Sequence, residues 1–342
     1  MNVSQSQSTN GIFTISLDFE LYWGMRELIS LEDEAFRQRL RGVDRAIPAI
    51  LKLFEKYNIR ATWAVVGFLY FKNSQELQAN LPTKLPEYQN RELSPYDDVK
   101  NSDVENNCYK FCPELIEQIR QSPGQEIGTH TFSHYYCLEA GQTQSEFQTD
   151  LQAAVATAKR ANVETESLVF PRNQYNEEYL ATISQLGLTS YRGNEKNWLH
   201  DWDNGKGNKL ERRLLRLVDA YLPLTGHNCY SLEQLKSSCP VNIPSSRFLR
   251  PYSATLKPLN SLKLRRITSD LDYAAREGLV YHLWWHPHNF GIDLKPNLDF
   301  LQKVLEHYQS LKEKYQMQSL NMGEIARCCI PNSSCRTAKN SS

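Results

Sequence analysis

The chain has 342 residues, of which 40% are hydrophobic and 23% charged, and its 39 basic and 39 acidic side chains cancel to a net charge of zero. That apolar content is enough for a sizeable core and excludes disorder along the whole length. The charge balance leaves no field of one sign with which to hold a nucleic acid or an anionic membrane surface.

Residues 1–10 are rich in Ser, Gln and Asn, lack the basic and apolar regions of a secretory leader, and read as a disordered N-terminus. No later stretch approaches the roughly 20 apolar residues of a bilayer-spanning helix. The expectation is a soluble, cytoplasmic protein without an integral membrane segment. Gly11–Phe19, Arg60–Val66, Gln125–His130, Glu166–Phe170 and Gly278–Trp285 have the short, β-branched and aromatic composition of buried strands. Between them, Glu32–Tyr57, Pro113–Gln121, Ser145–Ala161, Glu177–Gly187 and Leu298–Tyr315 carry helical patterns, with Asn58 and Gly187 as stops and Asn297 as an N-cap. Strands alternating with helices predict an α/β fold with a largely parallel sheet. Residues 11–326 read as one domain. Irregular, Pro-rich stretches near 71–112 and 194–253 are insertions, and 327–342 form a flexible tail. The eight cysteines are expected as reduced thiols, because a chain of this length needs no disulfide staples.

Three strand ends carry the chemistry. In the first strand Ile12, Thr14, Ser16, Asp18 and Glu20 alternate with Phe13, Ile15, Leu17 and Phe19, so Asp18 and Glu20 project to one side. Two carboxylates so placed repel unless a cation or a shared proton lies between them. His130 and His134, four apart after the third strand, can share one face of a helical turn and suit two ligands of one divalent ion. Imidazoles with carboxylates favour zinc and also accommodate cobalt, nickel or iron. The last strand ends in His282, Trp284, His286 and His288. A histidine there can deliver a proton to a leaving amine, or these histidines can be hydrogen-bonded structural groups. Catalytic groups of parallel β/α barrels gather at such C-terminal strand ends.

The succession SLDFE at 16–20, ATWAVVG at 61–67, GQEIGTHTFSH at 124–134 and WWHPH at 284–288 resembles the polysaccharide deacetylase family, the NodB-homology fold that includes carbohydrate esterase family 4. The likeness runs in order from about residue 11 to 325. It implies a distorted, incomplete β/α barrel of about seven strands. It also implies a divalent metal ion, an aspartate base, an arginine that orients the base and a late histidine acid. By position, Asp18 matches the first acidic residue of motif one, and His130 and His134 match the two histidine ligands. His286 matches the late acid, and Arg172, in Phe170-Pro171-Arg172-Asn173, is the candidate for orienting the base. The common motif has two adjacent aspartates where this chain has Asp18-Phe19-Glu20. Glu20 is then the metal-binding carboxylate and Asp18 the base, or the reverse. Tyr175, Trp23, Trp285 and His288 are candidate substrate contacts, with Trp198 and Trp202 as further loop aromatics.

The implied activity is metal-assisted removal of an N-acetyl group from an amino sugar, in a polysaccharide or its precursor. Two rivals are a metal-independent amidohydrolase of small ureides on the same fold and an inactive carbohydrate-binding protein.

Overall fold

A computed structural model describes residues 10–100, 106–201, 209–236 and 239–330. The expected disordered residues 1–9, Trp202, and 331–342 of the expected tail lie outside the described residues.

Nine strands form one sheet: β1 Ile12–Phe19, β2 Ala61–Val65, β3 Glu126–Thr129, β4 Ser167–Val169, β5 Ser190–Arg192, β6 Val241–Asn242, β7 Arg247–Phe248, β8 Val280–Trp285 and β9 Gln318–Ser319. They run in the order β6-β5-β4-β3-β2-β1-β8-β7, with β9 also on β1, and each of these pairings is parallel. The two ends of this order, β6 and β7, are joined by only four residues, 243–246. So short a link reaches under about 20 Å, so the sheet must curl. Extended residues 241–249 lie against both sides of the opening: Ser245 N donates to Gly193 O beyond β5 (2.9 Å), and Ser246 N donates to His282 O on β8 (2.8 Å). The result is the expected distorted β/α barrel.

β1 sits at the centre and is buried along its whole length. Phe13, Ile15, Leu17 and Phe19 face outward into the main core, where Ile47, Ile50 and Phe54 of helix Val43–Tyr57 and Leu301, Leu305 and Tyr308 of helix Leu294–Tyr315 cover them. The alternate residues Ser16 and Asp18 therefore face the barrel interior, which is why that face of the strand is polar. Burying a side chain such as Leu17 or Ile50 contributes roughly 1.5–3 kcal/mol, so this outward packing fixes the register that aims Asp18 inward.

The five strands expected from sequence are present within two residues at each end. β5, β6, β7 and β9 are two or three residues long, too short to show a period. Helices Asn260–Glu277 and Met322–Cys329 also went unpredicted, the latter extending order to Cys329, inside the expected tail. The expected helix Glu32–Tyr57 is two, Glu34–Arg41 and Val43–Tyr57, parted at Gly42. The last long helix begins at Leu294, so Asn297 is not its N-cap. Instead, the Asn297 side chain accepts from Tyr252 N (2.7 Å) and donates to Asp293 O (3.0 Å), tying the segment after β7 to this helix. Asn58 and Gly187 end helices in the left-handed conformation, as expected. Cys108, Cys112, Cys137, Cys229, Cys328 and Cys329 are free thiols, but Cys239 is disulfide-bonded, which its isolated position in the sequence gave no means to foresee. Among the described residues no helix is long and apolar enough to cross a membrane.

Gly42 meets Gly291 where the joint between two helices touches the loop after β8. A Cβ on Gly42 would stand 2.2 Å from Gly291 O, and one on Gly291 would stand 2.0 Å from Arg39 O. Both obstacles are backbone, so neither can swing aside. Gly42→Ala should cost about 1–3 kcal/mol by overpacking, read as a lower urea midpoint. It should also reduce activity, because the displaced loop carries His288 and adjoins His286.

Candidate active site and metal centre

Glu20 follows β1 directly and starts a short 3-10 turn, Leu21–Gly24, in which Leu21 takes a left-handed φ of 46°. This turn folds Gly24 back against the Glu20 carboxylate. A Cβ on Gly24 would lie 2.0 Å from Glu20 Cδ and 2.3 Å from either carboxylate oxygen. The carboxylate thus occupies a cradle that only glycine leaves open.

His130 and His134 leave β3 on an irregular loop, not on the helical turn that their spacing predicts. Thr131 and His134 are left-handed (φ 63° and 61°), which turns the chain sharply twice and brings the two imidazoles to 5.1 Å between centroids. Such conformations cost a non-glycine residue about 1–3 kcal/mol each and persist only where surroundings impose them. Buried Asp150, on helix Gln144–Arg160, supplies much of that restraint. Its carboxylate accepts from Phe132 N (2.7 Å), Ser133 N (3.2 Å) and the Ser133 hydroxyl. Burial pushes the Asp150 carboxyl up to about 6 against the pull of those three donors. Thr131 Oγ1 accepts from Tyr135 N at 2.7 Å and Tyr88 OH from Tyr136 N at 2.9 Å, closing the loop on itself and on the 71–112 insertion.

The side chains converge on one point. His130 Nε2 and His134 Nε2 stand 3.3 and 3.1 Å from Glu20 Oε2, and all three residues are buried. His130 Nδ1 lies 2.7 Å from Val169 O, a carbonyl that can only accept, so Nδ1 carries the proton and Nε2 presents its lone pair. His134 Nδ1 lies 3.0 Å from Tyr136 OH, whose own proton goes to Glu27 Oε1 at 2.6 Å. The Tyr136 oxygen therefore accepts from His134 Nδ1–H, and again Nε2 is left free. A hydrogen-bond acceptor behind each imidazole is the usual support of a metal-ligating histidine. His130 Nε2 has no hydrogen-bond partner among the described residues despite its burial. Ligands about 2.0–2.2 Å from a tetrahedral ion lie about 3.4 Å apart, close to the 3.3 and 3.1 Å that separate the two Nε2 atoms from Glu20 Oε2. Glu20, His130 and His134 therefore fit a divalent ion. Glu20 with His286 and His288 makes a second cluster of donors. There, however, His286 Nδ1 faces the Asn289 amide nitrogen at 3.5 Å, with no acceptor behind it.

Asp18 has a different partner. Arg192, at the end of β5, grips both oxygens, NH1 to Oδ1 at 2.6 Å and NH2 to Oδ2 at 2.7 Å. Arg192 is held by Ser16 Oγ (3.0 Å), Asn173 Oδ1 (2.9 Å) and the Trp284 ring, whose centroid is 4.2 Å away. Burial opposes ionisation of Asp18, but Arg192, then His130 and His286, outweigh it and lower its pKa. Burial likewise opposes ionisation of Glu20, and His286, His130 and His134 hold it well below the usual carboxylate range. His134 is shifted down by burial despite Glu20. His286 Nε2 stands 3.4 Å from Glu20 Oε1 and 3.8 Å from Asp18 Oδ2, on the partly open side of the site.

The remaining candidates divide. His288 is buried, stacks on His286 at 5.1 Å and is pushed down to about 3 by burial and then His286. His282 is also buried and pushed down to about 3, by burial and then Arg192; its Nε2 lies 2.9 Å from Ser16 Oγ. His282 is thus a neutral structural group behind Arg192. Arg172 does not reach Asp18. Left-handed backbone at Arg172 and Asn173 (φ 54° each) turns it outward, to Glu27 at 2.8 Å and over the Tyr136 ring, while Asn173 faces Arg192. Trp23 and Trp285 are core residues rather than substrate contacts. Trp23 Nε1 donates to Lys110 O (2.7 Å), and Trp285 stacks on Phe290 (5.8 Å, 18°). Tyr175 is half-buried against Phe170 and Tyr191, and Trp198 is 50% exposed. Trp284, near the end of β8, is half-buried beside Arg192 and His286. Arg192, Asn173, Tyr136 and Glu27 escaped the sequence reading. Arg192 sits on a three-residue strand whose existence had no periodic signal.

Fold and site together define a distorted β/α barrel with a carboxylate–histidine donor cluster at the C-terminal strand ends. Residues 41–191 match the family model described as polysaccharide deacetylase, so the resemblance to that family stands. The match covers somewhat under half of the chain and contains His130 and His134; Asp18 and Glu20 precede it, and Arg192 and His286 follow it. A candidate polysaccharide deacetylase from Mycobacterium smegmatis shares the fold with a TM-score of 0.59 and 14% identity, over 96% of this chain and 92% of that one. A second, from Pseudomonas aeruginosa, gives 0.53 and 10%, over 92% and 89%. A 4-alpha-glucanotransferase from Thermococcus litoralis gives 0.51 and 9%, over 93% of this chain and 40% of that one, so these likenesses speak to fold alone. Comparison with curated protein sequences gives no match.

Gly24→Ala should expel the Glu20 carboxylate and weaken metal binding at least about tenfold, whereas Tyr136→Phe, which removes the acceptor behind His134, should weaken it about 10–100-fold. Competition titration with a chromogenic chelator reads both. Full affinity in the first variant would remove Glu20 from the ligand set.

Proposed function

We propose that the protein is a metal-dependent carbohydrate N-deacetylase, with Glu20, His130 and His134 holding the ion and zinc its first choice. The observation that carries this reading is the convergence of two buried Nε2 atoms on Glu20 Oε2, each imidazole backed by an acceptor at Nδ1. When bound, a divalent ion at these donors polarises the amide carbonyl and acidifies a water. The division of the carboxylates supports Glu20 as ligand and Asp18 as base, since Arg192 occupies Asp18 and the histidines face Glu20. Arg192 keeps Asp18 ionised and fixes its plane, so the carboxylate enters the reaction as an acceptor. Asp18 Oδ2, the oxygen nearer His286, takes the proton of the attacking water.

His286 is the proton donor to the departing sugar amine. Its Nε2 points at the carboxylate pair and its side chain is 22% exposed, which leaves a route to substrate. The neighbouring imidazole of His288, buried and neutral, packs His286 in place without competing for its proton. General acid–base groups of this kind contribute about 10²–10⁴-fold each.

The test combines metal analysis with acetate release over a panel of N-acetylated saccharides. Purified protein should carry about one ion per chain and lose activity to chelators, recovering on zinc addition. Asp18→Asn should lower turnover about a hundredfold or more while the ion is retained. Activity indifferent to chelators would favour metal-independent amide hydrolysis, and saccharide binding without any turnover would favour a carbohydrate-binding role.

A further inference from the structure

We infer that the cleft beside His286 is a subsite for an anionic group carried by the saccharide, recognised by Arg250. The inference rests on the deacetylase reading only in taking the ligand to be a saccharide.

The cleft has a volume of about 310 Å³, and Asn173, Glu195, Phe248, Arg250, Trp284 and His286 are among its lining residues. His286 and Asn173 belong to the reaction centre, so the cleft opens directly from it. Phe248 and Trp284, 4.7 Å apart between ring centroids, form an apolar wall, and each ring is within 6 Å of His286. A sugar ring lying along that wall would extend from the proton donor toward Arg250.

The arginines around this cleft differ in how they are matched. Arg192 grips Asp18. Arg247 pairs with Asp219 and Asp270 at 3.0 Å each, and Arg266 also pairs with Asp270, so these charges cancel within the fold. Arg250, three residues after Arg247, is half-buried, and its guanidinium makes no ion pair and no hydrogen bond with any described residue. Burial lowers its pKa from the ordinary arginine value. A desolvated cation without a counter-charge is expensive. Of the acidic side chains that line the cleft, Asp219 is paired with Arg247, and burial pushes the Glu195 carboxyl up to about 7, so it offers Arg250 only part of a counter-charge. Glu195 Oε2 is instead 3.2 Å from the Asn197 amide. The structure thus retains a guanidinium in the lining of a cleft that continues the active site. A guanidinium takes an oxyanion through paired N–H donors. The ligand class is therefore an acidic saccharide, carrying either the carboxylate of a uronic acid or a phosphate ester.

The experiment is calorimetric binding to the metal-loaded protein of N-acetylglucosamine, N-acetylglucosamine 6-phosphate and an N-acetylated hexosaminuronic acid. One or both acidic ligands should bind at least about tenfold more tightly than the neutral sugar, as expected for hydrogen bonds to a charged group. The acid with the greater gain identifies the oxyanion. Arg250→Ala should bring charged and neutral ligands to parity, and Arg250→Lys should keep part of the preference. Equal affinity for all three in the unsubstituted protein, or a preference that persists in Arg250→Ala, overturns the subsite. A charge preference abolished by Arg250→Ala, in a protein that releases acetate from none of the sugars, overturns the deacetylase reading and leaves the subsite standing.

Discussion

The buried pair between Asp18 and Arg192 is the constraint on which the rest of the site depends. Two carboxylates at the C-terminal end of β1 repel each other, and in a dry interior that repulsion raises the pKa of one of them. Arg192 relieves it by neutralising Asp18 through both oxygens, which leaves Glu20 as the carboxylate that faces histidines. The pair also spans the barrel, because β1 and β5 are separated in the sheet by β2, β3 and β4. Removing Arg192 alone would strand a buried charge, at a cost of about 3–5 kcal/mol. Much of the surrounding polarity exists to hold this one guanidinium. Ser16, Asn173 and the Trp284 face contact it, and His282 stays neutral behind Ser16.

The histidine loop shows how local strain is turned to use. A regular helical turn would put His130 and His134 on one face, and the spacing invites that expectation. The fold instead spends two left-handed residues to point both Nε2 atoms at Glu20, and Asp150 holds the loop with three hydrogen bonds. Behind His134, the chain Arg172–Glu27–Tyr136 fixes the tautomer from outside. Arg172 thus acts on the site through the histidine rather than the base.

How much of this was legible follows from the range of each interaction. β1, β3 and β8 could be read because alternation and composition are local properties, and each strand brought its terminal residues to the same end of the sheet. Glu20, His130, His134, Asp18 and His286 were reachable for that reason. Arg192 was not: β5 is three residues long, and what marks Arg192 is a contact across 174 positions. The motif around Arg172 points to a partner for the base, but the sequence does not reveal the left-handed backbone that turns it away. Trp23 and Trp285 lie in the core and not against substrate, a difference hidden in the sequence because an aromatic residue near a strand end looks the same in either place. Only the packing distinguishes them.

The same logic separates the charges that serve the fold from one that lines the cleft beside His286. Around the reaction centre the buried arginines Arg192, Arg247 and Arg266 are each matched by a carboxylate, Arg192 by Asp18 from across the barrel and Arg247 and Arg266 by Asp270. Such matching lets a small barrel bury so much charge, since each pair offsets part of its own desolvation. Arg250 lies within a few residues of this network and stays outside it. A fold that neutralises its neighbours and leaves this guanidinium in a cleft continuous with His286 has placed a cation where a saccharide, rather than the protein, can supply the counter-charge.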